Sequence, residues 1–467
     1  MDAKQTMTKK KIHFNAFEMN TVNHMAHGLW AHPDDQRIHY KTADYWVKLA
    51  QLLEQGLFDA IFLADIGGVY EPYEGAYKAA VKRGMQSPIN DPFINVGLML
   101  GATQHLGFAV SASTSYEDPY NLARRFSTID HLSNGRVAWN VVTSALESAA
   151  LNHGHNAIIP HEQRYQIAEE FMQVCYKLWE HSWEDGAVQA DRSQHVYSDP
   201  DKVHTIDHEG TYFKVRGPHS CEPSIQRTPV IFQAGTSSTG KKFAAKHAEG
   251  VFIAGSEPEK LRQTVQSIRE HAVASGRQPD DVKVFGAVTI VVANTEQELQ
   301  QKLAEYDQYY LPEASFIQFS GSTGIDLGSL PDDEIYGQRH SEGNQSTAQL
   351  YSDKKAFTIG HVKQELSKFA ARTILIKGTP EDVADQIEEL VDYTGLDGFN
   401  IYQAITPATF RDVVELVIPE LQKRGRYRTR YEDTSFRDRL FQQGDRLSKS
   451  HTAYSHRIEA KTHDRVN

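Results

Sequence analysis

Gly235 to Lys242 reads GTSSTGKK, between the apolar run PVIFQA and the helical-looking stretch FAAKHAEG. Glycine, four residues, glycine and lysine is the spacing of the phosphate loop of nucleotide hydrolases, but Lys242 stands where that loop needs a Ser or Thr hydroxyl for Mg²⁺. With that hydroxyl absent and no acidic partner strand to complete a metal-nucleotide site, nucleotide hydrolysis is not expected. The anion-binding features remain. Gly235 lets a ligand approach the backbone, Ser237 and Ser238 offer donors, and a helix from about Thr239 aims its first amides outward. The same residues also suit a Ser N-cap on a tight turn, which needs no ligand.

Other polar groups fall at the ends of apolar runs. Asp65 ends one, Ser111 and Ser113 a second, and Asn140 with Ser144 a third. In RVAWNVVTS the strand alternation puts Ala138, Asn140, Val142 and Ser144 on one face, where an unpaired amide is costly to bury. Asn140 therefore either faces a polar ligand or is tied to neighbouring strand ends. PHEQRYQIAEEF brings His161, Arg164 and Tyr165 within about one helical turn, and with Ser237 they could close a phosphate pocket. Alternatively His161 caps its own helix and Tyr165 packs in the core.

These positions need a scaffold that gathers strand ends. KIHFNAFEM, FDAIFLAD, LGFAVSAS, RVAWNVVTS, PVIFQAG, GVFIAG, VKVFGAVTIVVA and DGFNIYQ are eight strand-like runs, each followed by a helix or a long insertion. That alternation predicts an α/β fold, a closed parallel (β/α)₈ TIM barrel with long βα insertions. TADYWVKLAQLLEQ, NLARRFSTIDHLS, QRYQIAEEFMQVCYKLWE and PEDVADQIEELVDYT carry helical periodicity. One barrel is expected over 11–430, with insertions at about 184–227 and 309–371 forming lids or pocket walls, and a partly disordered C-terminal extension over 431–467.

Acidic residues number 61 against 49 Lys and Arg, and the net charge of −12 argues against nucleic acid or an anionic membrane as the main partner. The basic run KRGRYRTR (423–430) reads as a solvated or interface segment. No apolar run approaches membrane-spanning length, and MDAKQTMTKKKIHF lacks the apolar core of a secretory signal, so the expected location is cytoplasmic. Cys175 and Cys221 show neither metal-ligand spacing nor a disulfide framework.

The quoted strand runs, together with YEDPYNLARRFSTIDHLSNGRVAWNVVTS, HEQRYQIAEEFMQVCYKLWE, HEGTYFKVRGPHSCEPSIQRTPVIFQAG and LDGFNIYQAITPATFRDVVELVIPELQKRGRYR, carry a resemblance. From about Lys11 to Arg430 the chain resembles the bacterial-luciferase-like flavin monooxygenases. The branch is the one containing the nitrilotriacetate, dibenzothiophene-sulfone, dimethyl-sulfide and long-chain alkane monooxygenases. The resemblance implies an enzyme that takes FMN, as reduced FMNH₂, from a separate NAD(P)H-dependent flavin reductase. With O₂ it would insert one oxygen atom into a small organic substrate. The resemblance assigns FMN contacts to Asp65, Ser111, His161, Tyr165 and Ser237, with Asn140 and Ser144 near the flavin. It places His24, Tyr70 and Gln86 on the substrate side, in hydrogen bonding or proton transfer, with His24 the acid/base candidate near neutral pH. It also implies a homodimer or tetramer.

The absence of a G-x-G-x-x-G after a strand agrees with a two-component enzyme that leaves NADH oxidation to another protein. Thr21, Ala145 and Gln318 depart from the alkane enzymes' pattern, so the substrate is left open. Two other readings compete. A metal-dependent barrel hydrolase is suggested by 22 histidines, by His153 and His155, and by His204 and His208, and would need ligands converging at strand ends. A deazaflavin-dependent oxidoreductase would share the fold.

Overall fold

The structure, a computed structural model, describes residues 10–458 except 236, 338, 340, 341, 353 and 355. Four strands come first: β1 (His13–Met19), β2 (Ala60–Ala64), β3 (Gly107–Ser113) and β4 (Val137–Val142). Two hairpins follow, β5 (Val188–Asp191) with β6 (Val196–Ser198) and β7 (His208–Glu209) with β8 (Lys214–Val215). The chain then returns as β9 (Val230–Gln233), β10 (Gly250–Ile253), β11 (Lys283–Val292), β12 (Ile374–Gly378) and β13 (Gly398–Tyr402). The sheet runs β10-β9-β4-β3-β2-β1-β13-β11-β12, and β10 also pairs with β11. That pairing closes eight parallel strands into a barrel and leaves β12 as a ninth, attached to the far half of β11 (Val288–Val292).

The eight barrel strands are the eight runs expected from sequence. The ninth, ILIKG, is an addition that the strand count did not include. Helices follow the periodicity read from the chain. In Pro380–Thr394 the buried residues Val383, Ala384, Ile387, Leu390 and Val391 recur every three or four positions, and Thr379 and Asp382 close a capping box at its start.

Inward-facing Phe62, Phe232, Phe252 and Phe285 fill the barrel, and Phe436 from the C-terminal extension joins them from the N-terminal end. Arg437 donates to the Glu249 carboxylate at 2.7 and 2.9 Å, while Arg439 donates to the carbonyls of Asp59 and His105. These acceptors all lie at or just before strand starts, so residues 433–441 seal the barrel floor. Farther on, His451 is buried against the His247 carbonyl at 2.8 Å and the turn Thr452–His456 follows it. The extension expected to be partly disordered over 431–467 is thus packed through Thr452–His456, and residues 459–467 lie outside the described residues.

Two expectations change. The basic run 423–430, expected as a solvated or interface segment, is divided: Lys423, Thr429 and Arg430 are exposed, whereas Arg426 meets Asp392 and Glu388, Arg424 meets Asp385, Glu388 and Glu420, and Arg428 meets Asp59. Burial alone would raise the Asp59 carboxyl, but Arg428 and His13 hold it well below the usual carboxylate range. The second correction concerns 184–227. It leaves the C-terminal end of the helix after β4 and returns to the start of β9, so it lies on the αβ side of the barrel, away from the strand ends that carry the site.

The other insertion does cover the C-terminal mouth. Its helix Pro312–Thr323 contacts the loops after β1 and β2, through Gln318 with His27 and Glu313 with Arg83. Behind that helix, Phe319, Leu327, Tyr336, Ile359, Val362 and Leu366 form a separate small core. The lid is thus a packed unit held by its own apolar burial, not a loose loop.

Candidate active site

The cofactor-side residues of the sequence reading converge where β2, β3, β4 and β9 end. β3 and β4 pair with Ser111 opposite Asn140, and the Asn140 amide donates to Ser111 Oγ at 2.8 Å. Both are buried, and Asn140 Oδ1 has no partner among the described residues. A buried amide oxygen left without a donor is unfavourable, which leaves Asn140 Oδ1 open to a donor from a ligand. Ser144 donates to Ser113 Oγ at 2.8 Å from a left-handed backbone, φ 45°. Asp65 follows β2, partly buried, with no cation against it among the described residues. Burial, helped by the nearby charges of Asp91 and Glu117, pushes its carboxyl up to about 7, so near neutrality it can donate as well as accept.

In the GTSSTGKK loop the helix-capping alternative is seen directly. Ser237 is the N-cap of helix Ser238–His247, its Oγ accepting from the Gly240 amide at 3.0 Å. The Tyr165 hydroxyl lies beside Ser237 and Thr143, where a Cβ on Gly235 or Gly240 would come within 3.0 or 2.9 Å of it. Both glycines are therefore needed for a phenol to rest on the loop. The His161 ring stands 5.1 Å from the Tyr165 ring, and its Nδ1 bonds the Glu162 carboxylate at 3.0 Å. Thr239 Oγ1 donates to the same carboxylate at 3.0 Å, and these two bonds lower its pKa. The Glu162 carboxylate thus meets one side-chain donor at the start of this helix, the Thr239 hydroxyl. Arg164 is turned away from the loop, donating to the carbonyls of Ile159 and Glu342.

The substrate-side residues lie across the mouth. Tyr70 donates to Gln86 Oε1 at 2.7 Å, and Gln86 is held in a left-handed backbone (φ 49°) with its amide on the Asn23 carbonyl at 3.0 Å. His24 packs on Phe17 with ring centroids 4.7 Å apart, and Phe17 stacks on Tyr402 at 4.5 Å. Burial pushes the His24 imidazole down to about 3, with Arg37 and His27 adding to the effect. So lowered, the ring stays neutral at pH 7, where an unperturbed histidine would begin to titrate. Of the positions departing from the alkane pattern, Thr21 spends its hydroxyl on the Pro88 carbonyl at 2.7 Å, while Gln318 bonds His27 at 2.8 Å. Phe17, His27, Arg372 and Tyr402 were missed in sequence. Tyr402 follows from the same alternation that singled out Asn140, since Gly398, Asn400 and Tyr402 share one face of β13.

Gly321 gives the Tyr70 ring its place: a Cβ there would overlap ring carbons Cγ and Cδ1. Gly321→Ala is expected to push Tyr70 off Gln86 and to destabilise the lid by about 1–3 kcal/mol. A thermal melt and an activity assay check this, and a variant matching wild type in both contradicts it.

The histidines of the metal reading are engaged elsewhere. His204 bonds Glu184 at 2.8 Å, His208 bonds Glu170 at 3.2 Å, and His153 stacks on Tyr116 at 4.6 Å. Among the described residues no group of three or more His, Cys, Asp or Glu is placed to hold a metal ion.

Residues 25–398 match the family model of the luciferase-like monooxygenases. The chain is 47% identical over 450 residues to the long-chain alkane monooxygenase of Geobacillus thermodenitrificans, covering 96% of this chain and 98% of that protein. It is 43% identical over 453 residues to the dimethyl-sulfide monooxygenase of Hyphomicrobium sulfonivorans, covering 96% and 94%. A crystal structure of a riboflavin lyase with modified FMN and riboflavin superposes with a TM-score of 0.92 at 37% identity, covering 96% of this chain and all of that one.

Proposed function

This chain belongs to the luciferase-like monooxygenases and is a flavin-dependent enzyme, and on that premise we propose that its flavin is FMN, delivered reduced by a separate NAD(P)H-dependent reductase. The observation that carries the reading is the pairing of an unsatisfied Asn140 Oδ1 at the strand ends with an anion cradle at Tyr165, Ser237 and Gly240 on the same barrel face. His161, Tyr165 and Ser237 hold the phosphate. Asp65, Ser111, Asn140 and Ser144 hold the ring system by hydrogen bonds. When bound, reduced FMN supplies two electrons and the site of O₂ activation, so that one oxygen atom enters the substrate and the other leaves as water.

The protein's own share is positioning and exclusion of water. The lid helix Pro312–Thr323 closes the mouth, and Tyr70 is fixed by Gln86. His24, neutral and buried, offers a ring N–H without a competing charge. The substrate is a small organic molecule, a long-chain alkane, an organosulfur or a related compound, and Thr21, Ala145 and Gln318 set its specificity apart from that of the alkane enzymes. We place the enzyme in the cytoplasm as a homodimer or tetramer, in keeping with its family. Among the described residues no helix is long and apolar enough to cross a membrane.

The test is reconstitution. With NADH, FMN and a panel of alkanes and organosulfur compounds the purified chain forms no product. Adding an unrelated flavin reductase restores product formation, since free reduced FMN is the only species the two proteins must share. Direct NADH oxidation by this chain contradicts the reading.

A further inference from the structure

Arg372 sits on the approach to β12. Its neighbour Thr373 is buried and its hydroxyl meets that of Thr289 at 2.8 Å, while Thr289 pairs in register with Tyr402. Those contacts fix Arg372 at the C-terminal mouth, beside the aromatic floor that Tyr402 shares with Phe17. The half-buried guanidinium donates to Thr347 Oγ1 at 3.1 Å and reaches Gln318 Oε1 at 3.4 Å. No carboxylate among the described residues pairs with it. Nearby acids are already engaged, Glu313 by Arg83 and Glu365 by Lys368.

The charge reaches the substrate side, and Tyr351 of the lid core as well. Burial raises the hydroxyls of Tyr70, Tyr310 and Tyr402, and at each the Arg372 charge acts against that rise. Burial likewise keeps His24 and His27 neutral, His27 at about 4, so neither competes for an anion. With two contacts to neutral oxygens and no carboxylate partner among the described residues, the Arg372 guanidinium keeps donors for an anion.

We infer that the substrate carries an oxyanion head, a carboxylate or a sulfonate, which Arg372 binds while the remaining organic part lies over Phe17 and Tyr402 toward Tyr70. This rests on the monooxygenase reading, and it makes Arg372 a specificity-determining residue. The planar fork of arginine suits two-point capture of either head group.

The test compares hexanoate, hexanesulfonate and hexan-1-ol by calorimetric titration of the FMN-loaded enzyme, with Arg372→Gln, Arg372→Lys and Thr347→Val beside wild type. At least one anion is expected to bind about tenfold or more tightly than the alcohol. Arg372→Gln removes that preference, Arg372→Lys keeps part of it, and Thr347→Val keeps it whole. Which anion binds better tells carboxylate from sulfonate. Equal or weaker binding of both anions, or a preference that survives Arg372→Gln, overturns the inference. So does its loss in Thr347→Val, which would make Arg372 a latch for the helix Gln345–Gln349. Binding of FMN is measured in the same preparations. Intact FMN binding without anion preference defeats only the recognition of the head group, whereas failure of wild type to bind FMN defeats the functional reading and this inference with it.

Discussion

Ser237→Ala combined with Tyr165→Phe is expected to weaken reduced-FMN binding by roughly two to four orders of magnitude, since each lost hydrogen bond to a charged group is worth about 1.5–3 kcal/mol. Tyr165→Phe deletes one oxygen and leaves the ring against Phe243 and His161. Ser237→Ala also removes the helix cap on the Gly240 amide, a loss of about 1 kcal/mol that a thermal melt detects separately. Riboflavin, which lacks the phosphate, supplies the control. Its affinity should change little in the double variant, so the gap between FMN and riboflavin closes. A double variant that binds FMN as wild type does removes the phosphate assignment, whatever its activity.

His24→Asn and Tyr70→Phe are each expected to leave FMN affinity unchanged and to lower oxygen insertion by roughly two to three orders of magnitude, the range for losing a precisely placed hydrogen-bond donor. Reduced flavin is then spent on hydrogen peroxide, and both products are measured in one reaction. Because burial holds His24 at about 3, its protonation produces no transition in the wild-type profile between pH 5 and 8. A transition near pH 7 belongs instead to Asp65, whose carboxyl burial raises to about 7, and it disappears in Asp65→Asn. Product and peroxide falling together with FMN affinity would make His24 structural. A pH transition that vanishes in His24→Asn would restore it as a titrating acid.

The barrel was legible because each of its eight strands is a short apolar run bounded by polar residues, a local signal. β12 was not, since ILIKG emerges from a long insertion and pairs only with the second half of the ten-residue β11. The face on which 184–227 lies could not follow from its length. Arg428 looked solvated because its partner, Asp59, is 369 residues away in the chain. In the site, strand alternation pointed to Asn140 and equally marks Tyr402. No local pattern marks Arg372, whose meaning comes from the lid and β11 meeting around it. The identity of His24 was legible by resemblance, but its protonation depends on how much of the ring the fold buries.

A crystal structure of the enzyme with FMN tests the central assignment most directly. The account predicts the phosphate against Tyr165, Ser237 and the first amides of helix Ser238–His247, with Asn140 Oδ1 accepting a hydrogen bond from the bound flavin. A phosphate found away from that loop, with Asn140 Oδ1 still unpartnered, contradicts it.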